Sequence, residues 1–90
     1  MSLDPDARKR RLHFRAWHRG TKEADLMIGG FVDRLLPTIT PAQMDWMERF
    51  LEETDVDIMS WITGTAPCPA AFEGEMMQAM RTLDYIPLSR

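Results

Sequence analysis

The residues able to do chemistry in this 90-residue chain are few, and their spacing brings almost none of them together. His13 and His18 are five apart, on different faces of any helix that carries them. Cys68 is the one cysteine, so no second thiolate completes a metal site. Cys68 also stands between Pro67 and Pro69, a loop setting that suits a structural or incidental thiol better than a nucleophile. Asp55 and Asp57 read first as charges favoured at a helix N-terminus. Without a strand there is no Gly-rich phosphate loop to follow one. The sequence therefore predicts no catalytic residue and no metal ligand, and the chain reads as a protein that grips another molecule.

One constellation carries more. His18-Arg19-Gly20-Thr21-Lys22-Glu23-Ala24-Asp25 falls where one helix should end and the next begin. Gly20 can take the positive φ that a sharp turn between helices demands, and it clears a side chain from the bend. Glu23 is placed to accept from the first amides of the second helix. Arg19 offers a planar fork of five donors, suited to a carboxylate or a row of carbonyls. An ordinary helical hairpin, with Arg19 and Glu23 as a surface ion pair of ~0–1 kcal/mol, accounts for the same residues.

The elements that must position this corner are helical throughout. A first helix starts near Pro5 and runs to about Trp17, and a second runs from Thr21 or Lys22 to Leu36. Leu26, Met27, Phe31 and Leu35 recur at three- and four-residue spacing on the second, widened by Ile28 and Val32. Gly29-Gly30 interrupts that stripe at a cost of roughly 1 kcal/mol each, which either a close neighbouring helix or a kink would explain. Thr40-Pro41-Ala42-Gln43 has the form of a capping box with proline at N1 and opens a third helix bearing Met44, Met47 and Leu51, flanked by Trp46 and Phe50. Asp55 is expected to cap a fourth helix to Thr63, with Ile58, Trp61 and Ile62 inward and Gly64 as its stop. A stiff Thr65–Pro69 connector leads to a fifth, with Phe72, Met76, Met80 and Leu83 on one face. Met27, Met59 and Met77 are expected to be partly exposed and adhesive. The fold class is all-α, a compact five-helix bundle forming a single domain over 1–90, ordered over about 5–84, with a loose tail from Pro87.

Area scaling leaves roughly 64% of the unfolded surface buried, enough for one core. No apolar run approaches the ~20 residues that span a bilayer, and the segment after Met1 resembles neither a secretory nor a transit peptide. The expected location is the cytoplasm. The net charge of −3 divides into +5 over residues 1–22 and −8 over residues 23–90. A basic end of that kind needs an anionic partner or a solvated face.

Arg19-Gly20-Thr21-Lys22-Glu23 resembles the Arg-Gly-x-x-Glu signature of the succinate dehydrogenase flavinylation-factor family, small helical assembly factors of bacteria and mitochondria. Asp25 follows at the family's spacing, and Asp55-Val56-Asp57-Ile58-Met59-Ser60-Trp61-Ile62 resembles its acidic segment leading into a tryptophan. Order and length agree over about residues 8–84. Val56 departs from the pattern, since many members have proline there, and this bears on where the fourth helix starts.

The resemblance implies a chaperone-like role. Its partner would be the flavoprotein subunit of succinate dehydrogenase or fumarate reductase, whose covalent attachment of FAD to a histidine it would promote. The chain would bind no cofactor itself and would be monomeric when free. Arg19, Gly20, Thr21, Glu23 and Asp25 would touch the partner, with Arg15 and His18 as additional contacts. A rival reading is a binder of nucleic acid or of an anionic surface through Arg8-Lys9-Arg10-Arg11, Arg15 and Arg19, interleaved with Phe14 and Trp17. The acidic remainder of the chain argues against it.

Overall fold

Local capping decides where most of the helices begin. In the computed structural model, which describes residues 4–86, α1 spans Pro5–Trp17. Its Asp4 carboxylate accepts from the Ala7 amide at 2.8 Å, and Pro5 fills the first turn. Helix α2 spans Lys22–Leu35, and the hydroxyl of Thr21 accepts from the Ala24 amide. A 3-10 turn at Leu36–Thr38, holding Pro37, replaces the expected last α-helical residue. The capping box forms as its residues predict: Gln43 donates its amide to Thr40 Oγ1, and Thr40 donates its own to the Gln43 side chain. It opens α3, Pro41–Phe50.

Helix α4, Asp55–Thr63, starts one residue earlier than Asp55 as its cap would place it. Thr54 accepts from the Asp57 amide, so Asp55 is the first helical residue and its carboxylate is left for another contact. Val56 then occupies the first turn, a place where proline would also be tolerated. Gly64 ends α4 in the left-handed conformation at φ 82°.

The C-terminal part departs most from the sequence reading. Ala70–Phe72 form a separate 3-10 turn, and Gly74 at φ 139° breaks the chain before α5, Glu75–Arg81. Phe72 is buried, but not from α5. With the register reset at Gly74, Met77 and Met80 are the fully buried residues of α5, while Met76 is only half-buried. Leu83, expected on the same face, lies beyond the helix at φ 55°. Met27 and Met77, expected to be partly exposed, belong to the core; Met59 is half-buried. The expected tail from Pro87 falls outside the described residues.

The core runs through all five helices. Leu12 and Ala16 of α1 share one buried cluster with Ala24, Ile28 and Val32 of α2, and an aromatic cluster of Trp46, Phe50, Trp61 and Phe72 ties α3 and α4 to the chain ahead of α5. No described helix is long and apolar enough to cross a membrane.

Gly29-Gly30 is the seat of two aromatic rings. Trp17 lies on Gly29, and its indole N–H donates to Asp33 Oδ1 at 3.2 Å. Tyr85 lies on Gly30, and its hydroxyl reaches the Met27 carbonyl at 2.8 Å and the Met80 carbonyl at 3.2 Å. Burial pushes the Tyr85 phenol above its ordinary pKa, so it stays neutral and able to donate. Close approach, not a kink, explains the glycine pair, since α2 continues unbroken through both.

A Cβ built on Gly29 would stand 2.6 Å from Trp17 Cε2, and the anchored indole cannot retreat without losing Asp33. Gly29→Ala should therefore cost about 1–3 kcal/mol of overpacking, more than the ~1 kcal/mol alanine gains in helix propensity. Urea unfolding checks this; a variant more stable than the parent would show that the Trp17 contact does not constrain α2.

Candidate functional site

The corner between α1 and α2 is built from residues 18–25. His18 closes α1, Arg19, Gly20 and Thr21 make the bend, and Glu23 and Asp25 stand in the first turn of α2. Gly20 does not adopt positive φ; among the described glycines only Gly64 and Gly74 do. Its importance is space. A Cβ on Gly20 would lie 3.2 Å from Asp55 Oδ2, so the bare backbone lets the start of α4 come against the corner.

Arg19 overturns the expectation of a guanidinium aimed outward. Its side chain is 11% exposed and turned into the protein. Nε donates to Asp55 Oδ1 at 2.7 Å, and the two terminal nitrogens donate to the carbonyls of Leu51 at 3.1 Å and Glu53 at 3.0 Å. These acceptors lie in the turn after α3 and at the first residue of α4, 32 to 36 residues away in sequence. One planar group thus satisfies a carboxylate and two carbonyls that the end of α3 leaves without helical partners. The Arg19–Glu23 pair of a simple hairpin does not form among the described contacts.

The neighbours divide between internal and outward roles. Asp25 is half-buried, and its Oδ1 accepts from the Arg19 amide at 2.7 Å, locking the bend from the other side. Thr21 is the cap of α2, its hydroxyl accepting from the Ala24 amide, and no acceptance by Glu23 from the first amides is among the described contacts. Glu23 itself is exposed, in the first turn where the helix dipole favours a carboxylate. Arg15 is held by Glu52 at 2.6 Å. His18 is exposed; its ring stacks on Phe14 at 3.9 Å, and Nδ1 lies 2.7 Å from the Phe14 carbonyl, which fixes the proton on that nitrogen. Gly20, Thr21, Glu23 and His18 therefore reach the surface, Arg19 and Asp25 brace it from within, and Arg15 lies half-buried against the exposed Glu52.

Sequence reasoning missed Asp55 as the partner of Arg19, along with Leu51 and Glu53. The only available signal was the charge asymmetry. Much of the anionic partner for the basic end is the chain's own α3, the turn after it and the first residue of α4: Arg8 pairs with Asp45 and Glu48, Arg15 with Glu52, and Arg19 with Asp55. On the other side of α1, His13 Nε2 lies 2.8 Å from Asp33 Oδ1, so the two histidines do face apart. Among the described residues no His, Cys, Asp and Glu group is arranged to hold a metal ion. Burial pushes the Cys68 thiol above its ordinary pKa, the wrong direction for a nucleophile at neutral pH.

Among the described residues the chain is an all-helical bundle with one internally braced corner. A family model described as flavinator of succinate dehydrogenase matches residues 10–84, and the chain belongs to that family. An FAD assembly factor SdhE from Acetobacter pasteurianus is 43% identical over 74 residues, covering 82% of this chain and 68% of that protein. Mitochondrial succinate dehydrogenase assembly factor 2 from Danio rerio is 30% identical over 78 residues, covering 84% of this chain and 49% of its own length. Its counterpart from Mycosarcoma maydis is 38% identical over 60 residues, covering 67% and 25%. The chain thus spans about two-thirds of the bacterial relative and half or less of these mitochondrial ones.

Arg19→Lys tests the geometry of the brace. An ammonium on a flexible stem cannot serve Asp55 and both carbonyls at once, so the variant should lose about 1–3 kcal/mol, the scale of hydrogen bonds to a charged group. Denaturant unfolding of the free protein reads this. Parent-like stability for Arg19→Lys would mean that the fork contacts carry no weight.

Proposed function

We propose that this chain is an assembly factor that binds the flavoprotein subunit of succinate dehydrogenase, or of fumarate reductase, and promotes covalent attachment of FAD to it. Membership of the flavinator family and the names of its bacterial and mitochondrial relatives support the reading. The observation in the fold that carries it is the corner itself: Gly20 bare and exposed, Glu23 exposed beside it, and the backbone between them held rigid by Arg19 and Asp25. A pre-braced surface loses little conformational freedom on docking, which is how a small protein holds a larger one in a chosen arrangement.

On this reading the chain contributes no acid, base or nucleophile. FAD belongs to the partner, and the bond to its histidine is made within that subunit. The chain's part is differential binding, favouring the arrangement in which histidine and flavin are aligned. Moving a two-state equilibrium from 1:99 to 99:1 takes about 5.5 kcal/mol of such preference. A standard interface needs about 800 Å² from each partner, roughly one-seventh of the 5751 Å² this chain exposes. It would act as a monomer in the cytoplasm.

The nucleic-acid reading is weakened by the ion pairs. Arg8, Arg15 and Arg19 are engaged within the chain, and Trp17 is packed on Gly29, which leaves Lys9, Arg10 and Arg11 with Phe14.

Gly20→Arg places a long cation on the corner, where the nearest obstacle is the end of a flexible carboxylate. The variant should remain folded, fail to bind the apo-flavoprotein subunit, and fail to raise its covalent flavin, read as in-gel fluorescence after denaturation. Unimpaired flavinylation by a folded Gly20→Arg would remove the corner from the mechanism.

A further inference from the structure

One apolar residue of α2 is left out of the core. Leu26 belongs by its spacing to the stripe of Met27, Phe31 and Leu35, yet it is half-buried and stands outside the hydrophobic cluster. It shares a side of the helix with Gly30 and Asp33, four and seven residues on, and the three line one hollow of about 510 Å³. Trp17, from the end of α1, and Tyr85, from the segment after α5, line the same hollow. Both rings are fixed by the fold. Trp17 is held against Gly29 and Asp33, and Tyr85 against Gly30 and the carbonyls of Met27 and Met80. The hollow is therefore formed before any ligand arrives, and little ordering is needed to fill it.

The charge lining it is unbalanced, with Asp33 and Asp84 against Arg34 alone. Arg34 donates to Asp84 Oδ1 at 2.6 Å, and the Thr82 hydroxyl donates to the same oxygen. Asp33 Oδ1 accepts from the Trp17 indole and lies 2.8 Å from His13 Nε2. The second oxygen of each carboxylate has no partner among the described contacts. An exposed carboxylate alone is met by water. Beside an apolar hollow lined by two aromatic rings it forms the combination that recognises a flat cation, which can lie on a ring and donate to the carboxylate together. Leu26 and the rings suit the methylenes behind such a cation. We propose that this hollow is a binding site for an arginine side chain of a protein partner, its stem on Leu26 and its guanidinium at the second oxygen of Asp33. The site shares no residue with the α1–α2 corner, and the inference does not depend on the function proposed above.

The test is an NMR titration of the whole chain with blocked tripeptides that carry arginine, citrulline or norleucine between two alanines. Citrulline keeps the shape of arginine without its charge, and norleucine keeps only an apolar stem. The arginine peptide should move the Trp17 indole N–H saturably, leave the indoles of Trp46 and Trp61 in place, and bind about fivefold more tightly than the other two. Asp33→Asn keeps an acceptor for the Trp17 indole, so it should melt like the parent, yet it should hold the arginine peptide no better than the citrulline one. Leu26→Ala leaves both carboxylates and should weaken all three peptides. Citrulline or norleucine binding as tightly as arginine, parent-like affinity in Asp33→Asn, or no saturable shift at Trp17 would each overturn the site.

Discussion

A single guanidinium holds the α1–α2 end of this molecule together. Arg19 closes the α1–α2 bend over the turn between α3 and α4, with one carboxylate and two carbonyls as its acceptors. Its side chain is 11% exposed and that of Asp55 25%. Water therefore competes weakly for either, and the pair is worth more than an exposed ion pair. Leaving Asp55 without Arg19 would strand a half-buried carboxylate beside two unsatisfied carbonyls, so the three contacts stand or fall together. Gly20 borders the same constraint: an added Cβ would stand 3.2 Å from Asp55 Oδ2, which would have to give by a few tenths of an ångström, while Arg19 holds the other oxygen.

The rest of the fold supplies the angle at which that joint can close. Helix α1 is held on one side by Arg8 and Arg15 reaching α3 and Glu52, and on the other by Trp17 lying flat on Gly29. Tyr85 repeats the device from the C-terminal end, its ring on Gly30 and its hydroxyl on the Met27 carbonyl. Asp84 beside it is drawn below the usual carboxylate range by the Thr82 hydroxyl and by Arg34. A carboxylate with a lowered pKa contributes its stabilisation above the unfolded value and loses it as pH falls through the folded one, so this fastening loosens in acid and not at neutral pH. The two glycines thus give up helix propensity to let aromatic rings set the spacing between elements.

What the sequence made legible follows from distance along the chain. The capping box at Thr40 and the stop at Gly64 act within three or four residues, and the helix start and end they govern are where their chemistry puts them. Thr54 took the capping role expected of the adjacent Asp55, a difference of one residue that frees a carboxylate. The last helix was misread because the period through Phe72, Met76 and Met80 assumes continuity, and Gly74 breaks it. At the corner the choice of residues was legible but their directions were not. A fork of five donors beside a glycine marks Arg19, yet whether it points to a partner or inward depends on Asp55, 36 residues on, which no local pattern reveals. The +5 and −8 halves were the trace of that pairing, read first as a call for an outside anion.

The corner then has a division of labour: Arg19 and Asp25 stiffen, Thr21 caps, and Gly20 and Glu23 face outward, which suits a protein that works by holding a partner in one arrangement. The most direct test is a double-mutant cycle on the stability of the free chain, comparing Arg19→Ala, Asp55→Ala and the double variant by denaturant unfolding. If Arg19 braces the fold through Asp55, the two single losses should exceed the double loss by about 1–3 kcal/mol. Losses that add to within ~0.5 kcal/mol would contradict the account and return Arg19 to the outer surface.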